Sequence, residues 1–354
     1  MISEKDLIFL SFLDQNYSRS GVLVSGIQTS RFVKLPKPGL RLISELIKIR
    51  DEGVWNKKIL VVMSPAHILV PFIRMLFRNK IVLDSGWPLF DGELSRANQK
   101  LKKLNPKLAK RYFMDLIVFH LADAIALETE QQVTRTAKIF GLKKHKLFRS
   151  FTGFDETLEF DNFSDFKCPI FEVCPTCNDN DNNLVLFRGK FNREAGLEVL
   201  AQSTKELESS NLIFVIATNS RLEDINFSKK TLIIRKFLTA TEIAHLYRNS
   251  KLSIGQLSDN PRLEYSIPHK AFEAAYFKTP YLTRDASGIR EVFESTSDAI
   301  FFNPKKVNLS DLIRGAIEDD KTVLKADSAH LKYSRAATQR VIVKNFFEQL
   351  NRIL

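Results

Sequence analysis

Strand-like and helix-like segments alternate twice along this chain, in two series separated by a stretch that suits neither. In the first series, residues 7–10, 58–63, 80–84 and 124–128 read as strands, and residues 40–50, 67–77, 109–122 and 130–140 carry helical apolar periodicity. In the second, strands are expected at 184–188, 212–217, 231–235, 252–255, 280–283 and 299–302, with helices at 196–206, 241–248, 269–277 and 309–318. A strand followed by a helix and another strand implies parallel pairing with a right-handed crossover. Each series therefore predicts an α/β doubly wound, Rossmann-like domain. Between them, Asn178-Asp179-Asn180-Asp181-Asn182-Asn183 cannot enter a core, which marks a linker. The expected organisation is a first domain over 1–160, a linker over 161–183, a second domain over 184–325 and a closing helical segment over 326–354. The closing helix itself is expected from about residue 328, with Val341, Val343, Phe346, Phe347 and Leu350 as its apolar stripe.

At 354 residues the chain exceeds one ordinary core, which agrees with two domains. Its 44% hydrophobic and 27% charged content is that of a globular protein. The amino terminus lacks a basic region followed by an apolar run, so no signal peptide is expected. The most apolar region, 59–77, is broken by Ser64, Pro65, His67, Pro71 and Arg74, which suits a strand and a helix rather than a membrane span. Three cysteines and no export signal point to a cytoplasmic location. Cys174-Pro175-Thr176-Cys177, with Cys168 upstream, invites a zinc reading. Three thiols fall one short of a structural zinc set, so no metal is expected.

A formal charge of +12 implies an anionic partner. Between Ser95 and Asp115 lie seven basic residues and no acid: Arg96, Lys100, Lys102, Lys103, Lys107, Lys110 and Arg111. Leu101, Leu104, Leu108 and Tyr112 recur among them at helical spacing. Such a segment reads as a peripheral helix on an anionic membrane surface, or equally as a solvated helix. No RNA-binding, helix-turn-helix or zinc-finger signature accompanies the charge, so nucleic acid is not an expected partner. The H-E-x-x-H and G-x-S-x-G patterns are absent too, which removes zinc protease and α/β-hydrolase chemistry.

The most specific signature runs from Ile267 to Glu291. Pro268, Lys270, Glu273 and Pro280 follow a P-x-K-x-x-E-x-x-x-x-x-x-P spacing, and Gly288 and Glu291 follow as G-x-x-E. It places a Lys and a Glu at the head of a helix, then a short strand and a glycine turn, where a doubly wound sheet offers a carboxylate to a ribose and amides to phosphates. This segment resembles the carboxy-terminal signature of glycosyltransferase family 4, retaining enzymes of the GT-B fold. The resemblance covers about 184–302 and, more faintly, the first half. It implies two Rossmann-like domains facing a central cleft, and a final helix crossing back to the first domain. It also implies transfer of a sugar from a nucleotide diphosphate donor to a glycan or lipid-linked acceptor, with no cofactor beyond that donor.

The resemblance implies roles for particular residues. Glu273 would hold the ribose hydroxyls, with Lys270 beside it. The stretch from Phe187 to Glu198 resembles the family's phosphate loop, with Gly189, Lys190 and Gly196 on its motif positions. Ala195 replaces the family's lysine, which leaves Arg193 as the nearest second cation. The family's first acid falls on Tyr265, with Glu264 one residue away. Gly288 belongs to the returning turn, and Gly21 to a loop expected near the donor phosphates. On the acceptor side, Asp84, Trp87 and Asp91 follow a buried strand, with Asp91-Gly92 also readable as a turn. His67, at another strand end, is a candidate or a buried cap. Two other readings stay open: a nucleotide-sugar epimerase of the same fold, and an inactive glycosyltransferase-like partner protein suggested by Ala195 and Tyr265.

Overall fold

The computed structural model of the chain describes residues 2–14, 18–27, 30–53, 55–96, 105–158, 170, 183–192, 194–222 and 225–354. Arg193, Lys100, Lys102, Lys103, Leu101, Leu104, the three cysteines and most of the expected linker lie outside these residues.

The chain divides into two units, Met1–Glu156 with Thr338–Leu354, and Thr157–Ala337. The first is built on β1 (Leu7–Ser11), β2 (Arg31–Lys34), β3 (Ile59–Met63), β4 (Lys80–Gly86), β5 (Ala124–Leu127) and β6 (Leu147–Arg149). Its helices are α1 (Ser18–Gly26), α2 (Leu40–Asp51), α3 (Leu69–Leu76), α4 (Leu89–Arg96), α5 (Pro106–Leu121) and α6 (Glu130–Phe140). All of its strands pair in parallel, in the order β2-β1-β3-β4-β5-β6. Every residue of β1, β3 and β5 is buried, as a parallel sheet covered by helices on both faces requires. Trp55, Phe77, Phe119 and Phe140 fill the core beside it.

The second unit carries β7 (Asn183–Arg188), β8 (Leu212–Ala217), β9 (Leu232–Ile234), β10 (Leu252–Ile254), β11 (Tyr281–Arg284) and β12 (Ile300–Phe302). Between and after them run α7 (Leu197–Glu206), α8 (Ala240–Arg248), α9 (His269–Tyr276), α10 (Leu309–Glu318) and α11 (Lys321–Ala336). The parallel order is β12-β11-β10-β7-β8-β9, the doubly wound order of dinucleotide-binding sheets. Phe187, Phe214, Leu252 and Phe302 lie in a core of their own.

Local signals set the helix ends. Asn105 accepts from the Lys107 amide at 3.0 Å and Pro106 takes the first position of α5, so this helix starts three residues before the expected 109. Thr239 and Glu242 form a reciprocal capping box on α8. The expected single closing helix is two helices. Thr338 leaves the helical region, and its side chain caps a new helix, α12 (Gln339–Ile353). That helix belongs to the first unit, where Phe346 meets Phe148 and Gln339 donates to the Val22 carbonyl at 2.9 Å. By contrast α11 packs on α9 within the second unit.

Candidate active site

Open parallel sheets bind ligands beyond the carboxyl ends of their strands, where the strand order reverses. In the second sheet that point lies between β7 and β10. Arg188 ends β7, and Gly189 follows at φ +143, a backbone region that a side chain rarely adopts. A β-carbon there would also stand 3.3 Å from the Lys270 Nζ. The loop enters α7 through Gly196 at φ +65, where a β-carbon would come within 2.7 Å of the Ser258 amide nitrogen. Lys190 lies on this loop and is exposed.

From the other side, α9 starts directly after Pro268 and presents His269, Lys270 and Glu273 within one turn. Glu273 is 2% exposed. It accepts a hydrogen bond from Arg188 Nη1 and one from the Tyr247 hydroxyl at 2.7 Å, with the His269 Nδ1 at 3.1 Å. Burial would raise its pKa, but the Arg188 charge, followed by His269, holds it well below the usual carboxylate range. The same burial and the Glu273 charge raise the Tyr247 phenol.

Lys270 is in a different position. Its Nζ is buried without a hydrogen-bond partner and stands 3.8 Å over the Phe187 ring. Burial pushes its pKa down to about 7, against the pull of Glu273 and with the push of Arg188. The switch point therefore holds one buried carboxylate against two cations, and the second cation has no fixed anion.

The returning turn closes on the same region. Gly288 is required because a β-carbon would fall 2.5 Å from the Ser266 nitrogen. Glu264 reaches the preceding residue, accepting from the Ser287 amide at 3.0 Å and its hydroxyl at 2.9 Å. Glu264 thus ties the short 3-10 turn Pro261–Tyr265 to the glycine turn.

In the first unit, Asp84 is fully buried and takes Arg19 through three hydrogen bonds of 2.6–2.9 Å. Arg19 also donates to the Thr152 hydroxyl at 3.3 Å, and Thr152 donates to Glu128 at 2.6 Å. The expected loop around Gly21 is helical: Val22 and Leu23 bury one side of α1, which carries Arg19 inward. The Asp91-Gly92 pair also lies inside a helix, in the first turn of α4, where Asp91 pairs with Arg135 at 3.0 Å. His67 is fully buried against the Ser85 hydroxyl at 2.9 Å, and burial lowers its pKa to about 4. Trp87 is half-buried.

The structure thus gathers Gly189, Lys270 and Glu273 in one place, with Glu264 and Gly288 joined at the adjoining turn. Arg188, Tyr247 and His269 are the partners that the sequence reading missed. His269 stands four residues before Glu273, a spacing that was available as a signal. Among the described residues, no group of three or more His, Cys, Asp or Glu side chains is placed to hold a metal ion.

Residues 176–333 match the family model of glycosyl transferases group 1. This part of the chain is therefore similar to the group 1 glycosyl transferases. The whole chain also shares its fold with solved structures. It superposes on HepE (Alr3699) from Anabaena in complex with UDP-glucose with a TM-score of 0.73, at 12% identity, covering 98% of this chain and 99% of that one. Sucrose-phosphate synthase (tll1590) from Thermosynechococcus elongatus gives 0.68 at 10% identity, covering 98% of both chains. A Listeria monocytogenes protein assigned as a UDP-N-acetylglucosamine 2-epimerase gives 0.56 at 13% identity, covering 98% and 96%. No curated protein matches the chain in sequence. The fold is GT-B, two doubly wound units on one chain.

Proposed function

We propose that the protein is a glycosyltransferase that binds a nucleoside diphosphate sugar at the carboxyl ends of β7 and β10 and transfers the sugar with retention. The observation that carries this reading is the buried Lys270 ammonium, without an anion of its own, beside Gly189 at the strand-order switch. A diphosphate supplies the missing anion. Lys190 on this loop adds charge to the leaving phosphate, with Arg193, three residues on in sequence, as the second cation. Glu273 has one of its four acceptor sites taken by Tyr247 and others by Arg188 and His269, and an ionised carboxylate offers room for a ribose hydroxyl besides.

In the transfer, the bond from the anomeric carbon to the phosphate oxygen breaks as the acceptor oxygen bonds to that carbon on the same face. The acceptor hydroxyl proton passes to the departing phosphate, giving a glycoside and a nucleoside diphosphate. Side-chain cations stabilise the charge that develops on that phosphate, the role electrostatic preorganisation fills in phosphate chemistry. Asp84 acts in this reading by holding Arg19 on the acceptor side. The acceptor is a glycan or lipid-linked sugar in cell-surface polysaccharide or glycolipid synthesis, met by a cytoplasmic enzyme at an anionic membrane surface. No helix among the described residues is long and apolar enough to cross a membrane, and the exposed Lys107, Lys110 and Arg111 of α5 supply attraction to anionic lipid.

A thermal-shift panel of UDP-, GDP-, ADP- and TDP-sugars tests donor binding, because a ligand of the native state raises its stability by mass action. UDP-sugars come first, since HepE is solved with UDP-glucose. No shift with any donor, in the parent protein, refutes the assignment. Turnover of a UDP-sugar with no acceptor present would instead favour the epimerase chemistry assigned to the Listeria neighbour.

A further inference from the structure

The six strands of the first sheet run parallel, so the residues that precede them line one edge, opposite the edge that holds Arg19, Asp84 and His67. That amino-terminal edge is basic. Lys57 and Lys58 precede β3, Arg78 precedes β4 and Lys80 begins it, and Lys143, Lys144 and Lys146 precede β6. The acids facing them from the same edge are Glu4 and Asp6, which precede β1, with Glu52 and Asp123, so cations still outnumber acids there. Asp123 is already paired with Arg74 at 2.6 Å and Lys80 at 3.4 Å.

A cavity of about 450 Å³ opens in this edge, lined among others by Arg74, Lys80, His120, Asp123, His145 and Lys146. Beside it, α2 packs on α3 and α3 on α5, and this layer leaves large apolar side chains in solvent. Met75 is 82% exposed, Phe113 58% and Ile117 51%. Met75 is next to Arg74 in sequence, and Ile117 lies one turn before the end of α5, whose last carbonyls receive Lys146. Apolar side chains ringed by cations fit the boundary between the head groups and acyl chains of an anionic bilayer.

We infer that the amino-terminal edge of the first sheet, with Met75, Phe113 and Ile117, is the surface that docks on an anionic bilayer, and that the cavity receives a lipid head-group phosphate. The inference rests on the membrane reading given above and adds the face used. Charge complementarity selects the occupant, because a second copy of this edge would bring cation against cation. It also narrows the acceptor. A five-residue strand spans roughly 17 Å, so the edge bearing Arg19 and Asp84 stands that far from the lipid. An acceptor sugar reaches it at the end of an extended glycan rather than directly on a lipid head group.

Flotation with phosphatidylglycerol vesicles and with phosphatidylcholine vesicles tests this. The parent protein should bind the anionic vesicles alone and release at high salt as the Debye length shrinks. The triple variant Lys80→Gln, Lys143→Gln, Lys144→Gln should bind on the order of a hundredfold more weakly, with donor thermal shifts unchanged. Met75→Trp should gain quenching by brominated lipid over the parent baseline. A parent that ignores anionic vesicles overturns both this inference and the membrane reading. Binding that survives the triple variant, without quenching at position 75, overturns the edge alone and leaves the membrane reading standing. Spectral change at position 75 that tracks protein concentration without lipid would show an interface between copies instead.

Discussion

Both units bury charge at the carboxyl edge of a parallel sheet, but with opposite balance. In the first, Arg19 faces Asp84 and, through Thr152, Glu128, so carboxylates outnumber the cation. In the second, Arg188 and Lys270 face Glu273 alone, so cations outnumber the carboxylate. Burying a charge is tolerated when it is paired and hydrogen-bonded. A closed pair needs nothing further, whereas an excess of one sign marks the place for a ligand of the other sign. The second edge, with its excess of positive charge, is therefore set for an anion, and the first, with its surplus carboxylate, is not.

The strongest way to break this comparison is to remove one member of each buried pair. Glu273→Gln leaves Arg188 and Lys270 without a counter-charge, and Asp84→Asn removes the carboxylate that Arg19 holds directly. Each should cost about 3–5 kcal/mol in denaturant unfolding of the unit that holds it. They should part on donor affinity: Glu273→Gln loses it, and Asp84→Asn keeps it. Equal loss in both variants would mean that the two edges do not have separate roles.

Lys270→Met sharpens the contrast, because here stability and affinity should move in opposite directions. The variant removes a buried cation that has no hydrogen-bond partner, so unfolding free energy should hold or rise. Donor binding should weaken by about 1.5–3 kcal/mol, the usual worth of a hydrogen bond to a charged group, or roughly tenfold to a hundredfold by calorimetry. A stability loss with unchanged donor affinity would make Lys270 a packing residue.

Glycines give a smaller comparison of the same kind. Gly196 and Gly141 adopt nearly the same left-handed conformation, at φ +65 and φ +63. A β-carbon on Gly196 meets backbone at 2.7 Å, and one on Gly141 meets nothing within 4 Å. Gly141→Ala should cost only the conformational penalty, about 1–2 kcal/mol. Gly196→Ala should cost more than that and also disturb the phosphate loop. Equal melting temperatures for the two variants would show that the loop yields easily.

These contrasts were only partly legible in the sequence. All six strands of the second unit were, because each is a β-rich run bounded by turn residues. The strands β2 and β6 were not: Arg31–Lys34 has no buried residue and Leu147–Arg149 is three residues long, and both lie on sheet edges where little apolar patterning is needed. Helix α1 escaped because Ser18, Ser20, Gly21, Ser25 and Gly26 dilute its periodicity. Gly26 is there because Gln339 and Val343 of α12 leave no room for a β-carbon. At the site, the spacing of Lys270 and Glu273 was readable on one helix. Their charge balance was not, since it depends on Arg188, 85 residues before Glu273, and Tyr247, 26 residues before it. Likewise the pairing of Asp84 depends on Arg19, 65 residues away, which no local pattern links to it.

The smallest expected effect is on pH dependence, and it belongs to the second edge. Burial lowers the Lys270 pKa in the folded protein to about 7 from its ordinary value of 10.5. Between those values the unfolded chain binds a proton at this lysine more fully than the folded chain does. Stability rises with pH wherever the unfolded state holds more protons. The unliganded protein should therefore gain stability as pH rises above 7, by up to about 1 kcal/mol over one unit, and Lys270→Met should lack that gain. Donor binding should show the opposite slope, because only the charged ammonium pairs with a diphosphate, so affinity falls as pH rises through about 7. Denaturant melts and donor titrations from pH 6 to 9, on parent and variant together, separate this lysine from every other titrating group. Parallel curves for the two proteins would mean that the diphosphate is held by Arg188 and the loop cations without Lys270.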